Sequence, residues 1–149
     1  MIATTVDQSL ELMQSLKIDT ADMHYVRKTK DFRGNEVNSE WAFPKFGNPH
    51  SKHANYIVQN FTEYEMIPAW SLGALSNLMP KEIKYKGFTY NLGTDLKTYI
   101  WYSSDDYGAI PLNLIWIRGD NILDLFYKMV IWLIQKHLIT DYEKINEKN

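Results

Sequence analysis

The sequence predicts an α+β fold in which an antiparallel sheet of short strands is covered by two or three helices. A long C-terminal helix is expected to pack on that sheet. Three observations support this fold class. Apolar residues recur with a helical period near the N-terminus, with a period of two through the middle, and as a long run from Asp120 to Leu138. Helical and strand patterns therefore occupy separate stretches, which is typical of α+β domains.

Length and composition are those of an ordinary globular domain. The chain has 149 residues, of which 45% are hydrophobic and 23% charged, and no linker or internal repeat divides it. We therefore treat residues 1–149 as a single domain with a frayed polar tail at 141–149. The net charge of −2 favours neither nucleic acid nor an anionic membrane as partner. The absence of cysteine excludes disulfides, thiolate nucleophiles and cysteine-based metal sites.

No targeting or membrane segment is predicted. The N-terminus lacks the basic region and apolar core of a signal peptide. The most hydrophobic stretch, from Ile122 to Leu138, carries Asp124 and Lys128, whose charges are costly within a bilayer. This stretch is therefore expected to be a buried helix, and the protein is expected to be cytoplasmic, with no membrane association.

The N-terminal half predicts a helix followed by a hairpin. Thr5 and Gln8 have the spacing of a capping box. The helix that they begin is expected to dock through one face, formed by Val6, Leu10, Met13 and Leu16. A hairpin follows, with arms at 23–28 and 37–43 and with Gly34 near its tip. Residues 44–51 form a loop, and residues 55–61 are expected to form a strand or an irregular crossing.

The C-terminal half predicts a helix, a meander of strands and a closing helix. Ser71 is the expected N-cap of the middle helix, which Pro80 ends. Alternating apolar residues then predict short strands, through Ile83 and Tyr85, Phe88 and Tyr90, Tyr99 and Trp101, and Leu112, Leu114 and Trp116. Asp120 is the expected N-cap of the last helix, in which Asp124 lies near the positive end of the helix dipole.

No catalytic, cofactor or metal site is predicted. The seven glycines are scattered singly, which excludes a glycine-rich phosphate loop. His50 and His53 have a spacing that could reach one metal ion, but no third ligand is indicated, and two exposed loop histidines are the preferred interpretation. Asp105 and Asp106 suit either a solvated turn or a loop that binds a cation or hydroxyl group.

Basic residues suggest one class of function. Four cations surround the expected hairpin tip: Arg27, Lys28, Lys30 and Arg33. A two-stranded ribbon of this kind could contact phosphates, so a nucleic-acid-associated regulator is one hypothesis. A second basic cluster consists of Lys81, Lys84 and Lys86. The acidic total, and the frequency of lysine on ordinary exposed strand edges, argue against this hypothesis.

Aromatic residues suggest the other class. Ten Tyr, five Trp and six Phe exceed what one small core requires, and Tyr and Trp are enriched at protein interfaces. The candidate interaction surface consists of Trp41, Phe43, Trp101, Tyr102 and Tyr107. It predicts a protein partner or self-association, and we prefer this hypothesis to nucleic-acid binding.

Three motifs add a resemblance. They are Asp19-Thr20-Ala21-Asp22-Met23, the stretch from Pro68-Ala69-Trp70-Ser71-Leu72-Gly73-Ala74-Leu75 to Met79-Pro80, and Tyr127-Lys128-Met129-Val130-Ile131-Trp132-Leu133. In order and spacing they resemble a family of small uncharacterised proteins from Bacteroides-type genomes, prophages and mobile elements. That family has no activity that can be assigned to any residue. The resemblance implies a cytoplasmic accessory protein of a mobile element.

Overall fold

A computed structural model describes residues 2–47, 56–59, 62–104, 112–139 and 144–145. The α+β class is confirmed. The helices are α1 (Val6–Met13), α2 (Leu72–Leu78) and α3 (Ile122–Gln135), with a short 3₁₀ turn at Ile18–Thr20. The strands are β1 (Met23–Lys30), β2 (Lys45–Phe46), β3 (Tyr56–Gln59), β4 (Thr62–Ala69), β5 (Glu82–Tyr85), β6 (Phe88–Thr94), β7 (Tyr99–Ser104) and β8 (Leu112–Arg118).

The described strands form two antiparallel sheets, where the sequence predicts one. The first sheet has the order β2-β1-β4-β3, and the second is a meander in the order β5-β6-β7-β8. The C-terminal helix α3 contacts β7 and β8, as the sequence predicts for the last helix, while α1 contacts β4 of the first sheet. Alternate residues of the second sheet face the helices, so its opposite face points outward.

The first helix begins as predicted, and its predicted face packs on the core except at Leu10. Gln8 N donates to Thr5 Oγ1 at 3.1 Å and Thr5 N donates to Gln8 Oε1 at 3.0 Å, which completes the capping box. Leu10 is exposed, whereas Leu12 is fully buried. The predicted face is therefore wrong at Leu10, while Val6, Met13 and Leu16 pack against the core clusters. Its pattern omitted Ser9, a buried hydroxyl that bonds to the Thr4 hydroxyl at 2.8 Å.

The hairpin is present, but its second arm is not a regular strand. Residues 37–43 follow β1 with scattered bonds, since Val37 N donates to Thr29 O and Ala42 N donates to Val26 O. At the tip, the Asp31 carboxylate accepts backbone N–H groups from Arg33 and Asn35, each at 2.9 Å. These local bonds hold the turn without a continuous ladder.

Strand β4 is the main element that the sequence analysis missed. Its pairing with β1 runs from Lys30 opposite Glu63 to Met23 opposite Ala69. Strand β3, a predicted strand or crossing, pairs only with residues 62–65 of β4. Pro68 lies beyond that pairing, at a position where proline is tolerated because no β3 carbonyl needs its missing N–H.

The C-terminal elements match the sequence patterns except at the last N-cap. Ser71 Oγ accepts from Ala74 N at 3.2 Å and caps α2, as predicted. The cap of α3 is Asn121, whose Oδ1 accepts from Asp124 N at 2.9 Å, so Asp120 is not the cap. Both are good capping residues, and Asn121 is the one with an extended backbone whose side chain accepts from the first turn of the helix.

Two hydrophobic clusters fill the interior of the described structure. The larger one joins α2, α3 and the inner face of the second sheet, with Trp70, Leu75 and Met129 fully buried. The smaller one lies under the first sheet and includes Ala3 and Met23. The frayed-tail prediction falls largely outside the described residues, but Ile145 pairs with Leu16 and is held against the body of the protein.

Candidate functional site

An apolar groove lies between the start of α1 and the return arm of the hairpin. It encloses about 800 Å³. We call it the hairpin groove; its apolar lining includes Ile2, Val6, Tyr25, Trp41, Ala42, Phe43 and Pro44. Phe43 is 92% exposed, which is unusual for a phenyl ring beside a concave apolar surface. Two predicted interface residues, Trp41 and Phe43, thus meet in one site.

The walls of the groove are fixed by backbone bonds on both sides. Ala42, between the two aromatic residues, donates its N–H to Val26 O at 3.0 Å. Trp41 is further held by the guanidinium of Arg27, which lies 4.6 Å from the ring centroid. On the opposite wall, the Thr4 N–H donates to Trp70 O at 2.9 Å and anchors the segment that carries Ile2. The site is therefore built before any ligand binds.

Tyr25 forms part of the floor and links the two walls. Its hydroxyl donates to Thr4 O at 2.7 Å, and its side chain is almost completely buried. Burial raises the pKa of Tyr25 above its ordinary value, because the phenolate would lose its hydration. The phenol therefore stays neutral and acts as a structural donor.

A second aromatic surface lies on the outer face of the second sheet. Trp101 is on this face, where its indole lies directly over Gly93 of the neighbouring strand. Tyr99 and Trp116 stack beside it, with ring centroids 4.3 Å apart and 15° between the ring planes. Trp116 is 54% exposed. The predicted surface is therefore two surfaces, one in the hairpin groove and one on the second sheet.

Tyr102 does not belong to either surface. It is 0% exposed, and its hydroxyl donates to Pro80 O at 2.6 Å, because the alternation of β7 turns it towards the core when Trp101 turns outward. Burial raises the pKa of Tyr102 well above its ordinary value. Tyr107, the remaining candidate, lies outside the described residues.

Half of the predicted basic cluster is neutralised by β4. Arg27 forms an ion pair with Glu65 at 2.6 Å, and Lys30 lies 3.8 Å from a carboxylate oxygen of Glu63. Lys28 is exposed on β1, and Arg33 lies 5.2 Å from the ring centroid of Phe32 at the exposed tip. The sequence analysis could not find this pairing, because β4 was not predicted as the neighbour of β1.

The described residues contain no candidate metal site. Among them, no group of three or more His, Cys, Asp or Glu side chains converges to hold a metal ion. His50, His53, Asp105 and Asp106 lie outside the described residues, so these predictions remain predictions. None of the described helices has both the length and the apolar character to cross a membrane.

The chain was compared with family models, curated proteins and solved structures, and no match was found. The function must therefore be argued from the two aromatic surfaces. Ile2 and Val6 were not predicted as interface residues, and Tyr99 and Trp116 belonged to the aromatic excess but not to the predicted surface. The alternation of residues in β7 and β8 could have assigned Tyr99 and Trp116 to the outer surface, since both lie on the same face of the sheet as Trp101.

Proposed function

We propose that this protein is a non-enzymatic binding module that holds an apolar segment of a partner protein in the hairpin groove. The observation that carries the proposal is the exposure of Phe43 beside a preformed apolar concavity of about 800 Å³. Exposed apolar area of this kind marks interaction sites. Trp41, which is held in place by Arg27, supplies the large aromatic anchor that dominates many interfaces.

The lining also suggests the chemistry of the partner. Among the described residues that line the groove, Glu40 is the one that carries a charge. A segment with two or three apolar side chains would fill the groove, and a lysine or arginine beside them would face Glu40. The preformed walls reduce the conformational entropy that binding would otherwise cost.

We extend the proposal to biological context. An accessory role in the cytoplasm, as part of a prophage or mobile element, rests on the resemblance of the three sequence motifs alone. The hairpin groove would then be the place at which the protein joins a larger assembly.

Selection from a random peptide display library tests the proposed function. We expect enriched peptides with apolar residues flanked by a cation, and their affinity should fall by about tenfold or more in Phe43→Asp, the loss of about 1.4 kcal/mol typical of an interface anchor. Phe32→Asp is the matched control, since Phe32 is also exposed but lies at the hairpin tip. The absence of enriched peptides, or equal binding by Phe43→Asp, contradicts the proposal.

Self-association through the same groove has a distinct outcome. Light scattering would then report a dimer that Phe43→Asp converts to a monomer and Phe32→Asp leaves intact. That result would identify a second copy of the chain as the occupant in place of a different partner.

Nucleic-acid binding by the basic hairpin stays a prediction with less support, because Arg27 and Lys30 face carboxylates. It predicts affinity that weakens steeply with salt and that falls in Arg27→Ala and Arg33→Ala. Arg33→Ala is the cleaner variant, since Arg27 also contacts Trp41.

A further inference from the structure

The outer face of the second sheet presents aromatic rings that the core does not use. Trp101 lies over Gly93, where an added Cβ would come within 2.5 Å of Cε2 and 2.9 Å of Cζ2. The sheet register places Trp116 directly opposite Trp101 on its other side. Within the described structure, neither indole belongs to a hydrophobic core cluster. The two rings form a platform across three strands.

Polar groups lie in the next row of the same face. The register aligns Asn91, Ser103 and Asn113 across β6, β7 and β8. Asn91 and Asn113 are exposed. Amide groups can donate and accept hydrogen bonds at once, so they suit the edges of a planar heterocycle stacked on the neighbouring rings.

Cations flank the platform on both outer strands. Lys84 on β5 and Arg118 on β8 are both exposed, and neither forms an ion pair within the described part of the chain. Glu82 is the one carboxylate on the outward positions of the four strands, so these positions carry a net charge of +1 in a chain of −2. The register places Lys84 opposite Thr89 and Arg118 opposite Tyr99, so the two cations are about 14 Å apart across the strands and about 20 Å apart along them.

We propose that this outer face binds single-stranded nucleic acid, with bases stacked on Trp101 and Trp116 and with phosphates held by Lys84 and Arg118. This inference goes beyond the hairpin groove and does not depend on it. Stacking on aromatic residues of an exposed four-stranded antiparallel sheet is an established way to bind unpaired bases. The positive sign of the face favours a phosphate backbone over a neutral or acidic partner.

Fluorescence anisotropy with a labelled oligothymidylate tests the proposal, using about 12 nucleotides, within the usual range of single-stranded sites. Two phosphate contacts predict a slope of about −1.4 in log affinity against log salt, so binding should weaken about sevenfold between about 50 and 200 mM salt. Absence of binding at the lower salt concentration overturns the proposal.

Three variants identify the site. Trp116→Ala should weaken binding by about 5- to 150-fold, the range measured for one stacked base, and Trp116→Phe should recover part of it. Arg118→Ala should weaken binding and make the dependence of affinity on salt less steep. This variant still tests the site if Trp116→Ala does not fold. Phe43→Asp is the control for the hairpin groove and should bind the oligonucleotide normally.

Two other outcomes overturn the proposal, and a third supports it. Loss of binding in Arg33→Ala, with normal binding by Trp116→Ala and Arg118→Ala, would move the site to the hairpin tip. Binding of a neutral oligosaccharide in place of the oligonucleotide would assign the rings to sugar stacking. A failure of Phe43→Asp to bind peptide, with oligonucleotide binding intact, would show that the two sites are separate.

Discussion

Replacing Gly93 by alanine should be costly, although glycine is normally a weak residue within a strand. The reason is the indole of Trp101, since the new Cβ would lie 2.5 Å from Cε2 and 2.9 Å from Cζ2. Both distances are far inside van der Waals contact, and the obstacle is the body of a ring rather than a flexible end. Trp101 must therefore tilt away from β6 or the strands must separate.

The magnitude follows from two opposing terms. Overpacking of this kind costs about 1–3 kcal/mol. Replacing a glycine in a strand by alanine also reduces the conformational freedom of the unfolded chain, which stabilises the fold by about 0.5–1 kcal/mol. The difference lies between about 0 and 2.5 kcal/mol, so we expect Gly93→Ala to lower the free energy of unfolding by about 1 kcal/mol, which corresponds to about 2–4 °C in Tm for a chain of this size.

Urea unfolding followed by circular dichroism measures this change. Gly73→Ala is the matched control, because its new Cβ would lie 3.7 Å from Ser71 Oγ in ordinary contact, and it should be neutral or stabilising. In a Trp101→Ala background the clash is absent, so Gly93→Ala should there become neutral or stabilising. An equal cost of Gly93→Ala in both backgrounds would refute the explanation.

Three further changes test other parts of the structure. Asp22→Ala should cost about 1.5–3 kcal/mol in urea unfolding, because the Asp22 carboxylate accepts the N–H of Ser71 at 2.9 Å and also its hydroxyl. Burial raises the pKa of Tyr102 above its ordinary value of 10.0, so the contribution of this residue to folding stability should be constant below pH 10 and fall above it. Urea midpoints measured above pH 10 should therefore fall less steeply in Tyr102→Phe. A double-mutant cycle of Arg27→Ala and Glu65→Ala should give a coupling of only about 0.2–1 kcal/mol, because the pair is partly exposed, and a larger value would contradict this estimate.

Hydrophobic periodicity, capping residues and proline predicted the elements whose formation depends on neighbouring residues in the sequence. Ser71 and Pro80 bracket α2, and the alternation after Pro80 predicts the meander strands. Strand β4 was missed because its sequence does not alternate cleanly. Glu63 and Glu65 look like solvent residues until their partners on β1 are known. Pairing between strands that are distant in sequence depends on the whole fold, so it cannot be predicted from the sequence of either strand alone.

The composition showed that aromatic residues are in excess, but it did not show that they form two separate surfaces. Trp101 and Tyr102 are adjacent, and only the phase of β7 decides that the first faces outward and the second is buried. Ile2 reaches the hairpin groove through bonds between Thr4 and Trp70, which join parts of the chain that no motif connects. The groove could not therefore be predicted from the sequence.

The bonds between Thr4 and Trp70 also bear on the order of folding. They join residues 66 positions apart, whereas each strand of the second sheet pairs with its neighbour in the chain. Closing a long loop costs more chain entropy than closing a short one, and local contacts form sooner. We therefore expect pulsed hydrogen exchange to protect the amide of Ile100 before that of Thr4. The hairpin groove, whose wall the N-terminal segment completes, would then appear only when folding is finished, so a partner that binds there recognises only fully folded chains.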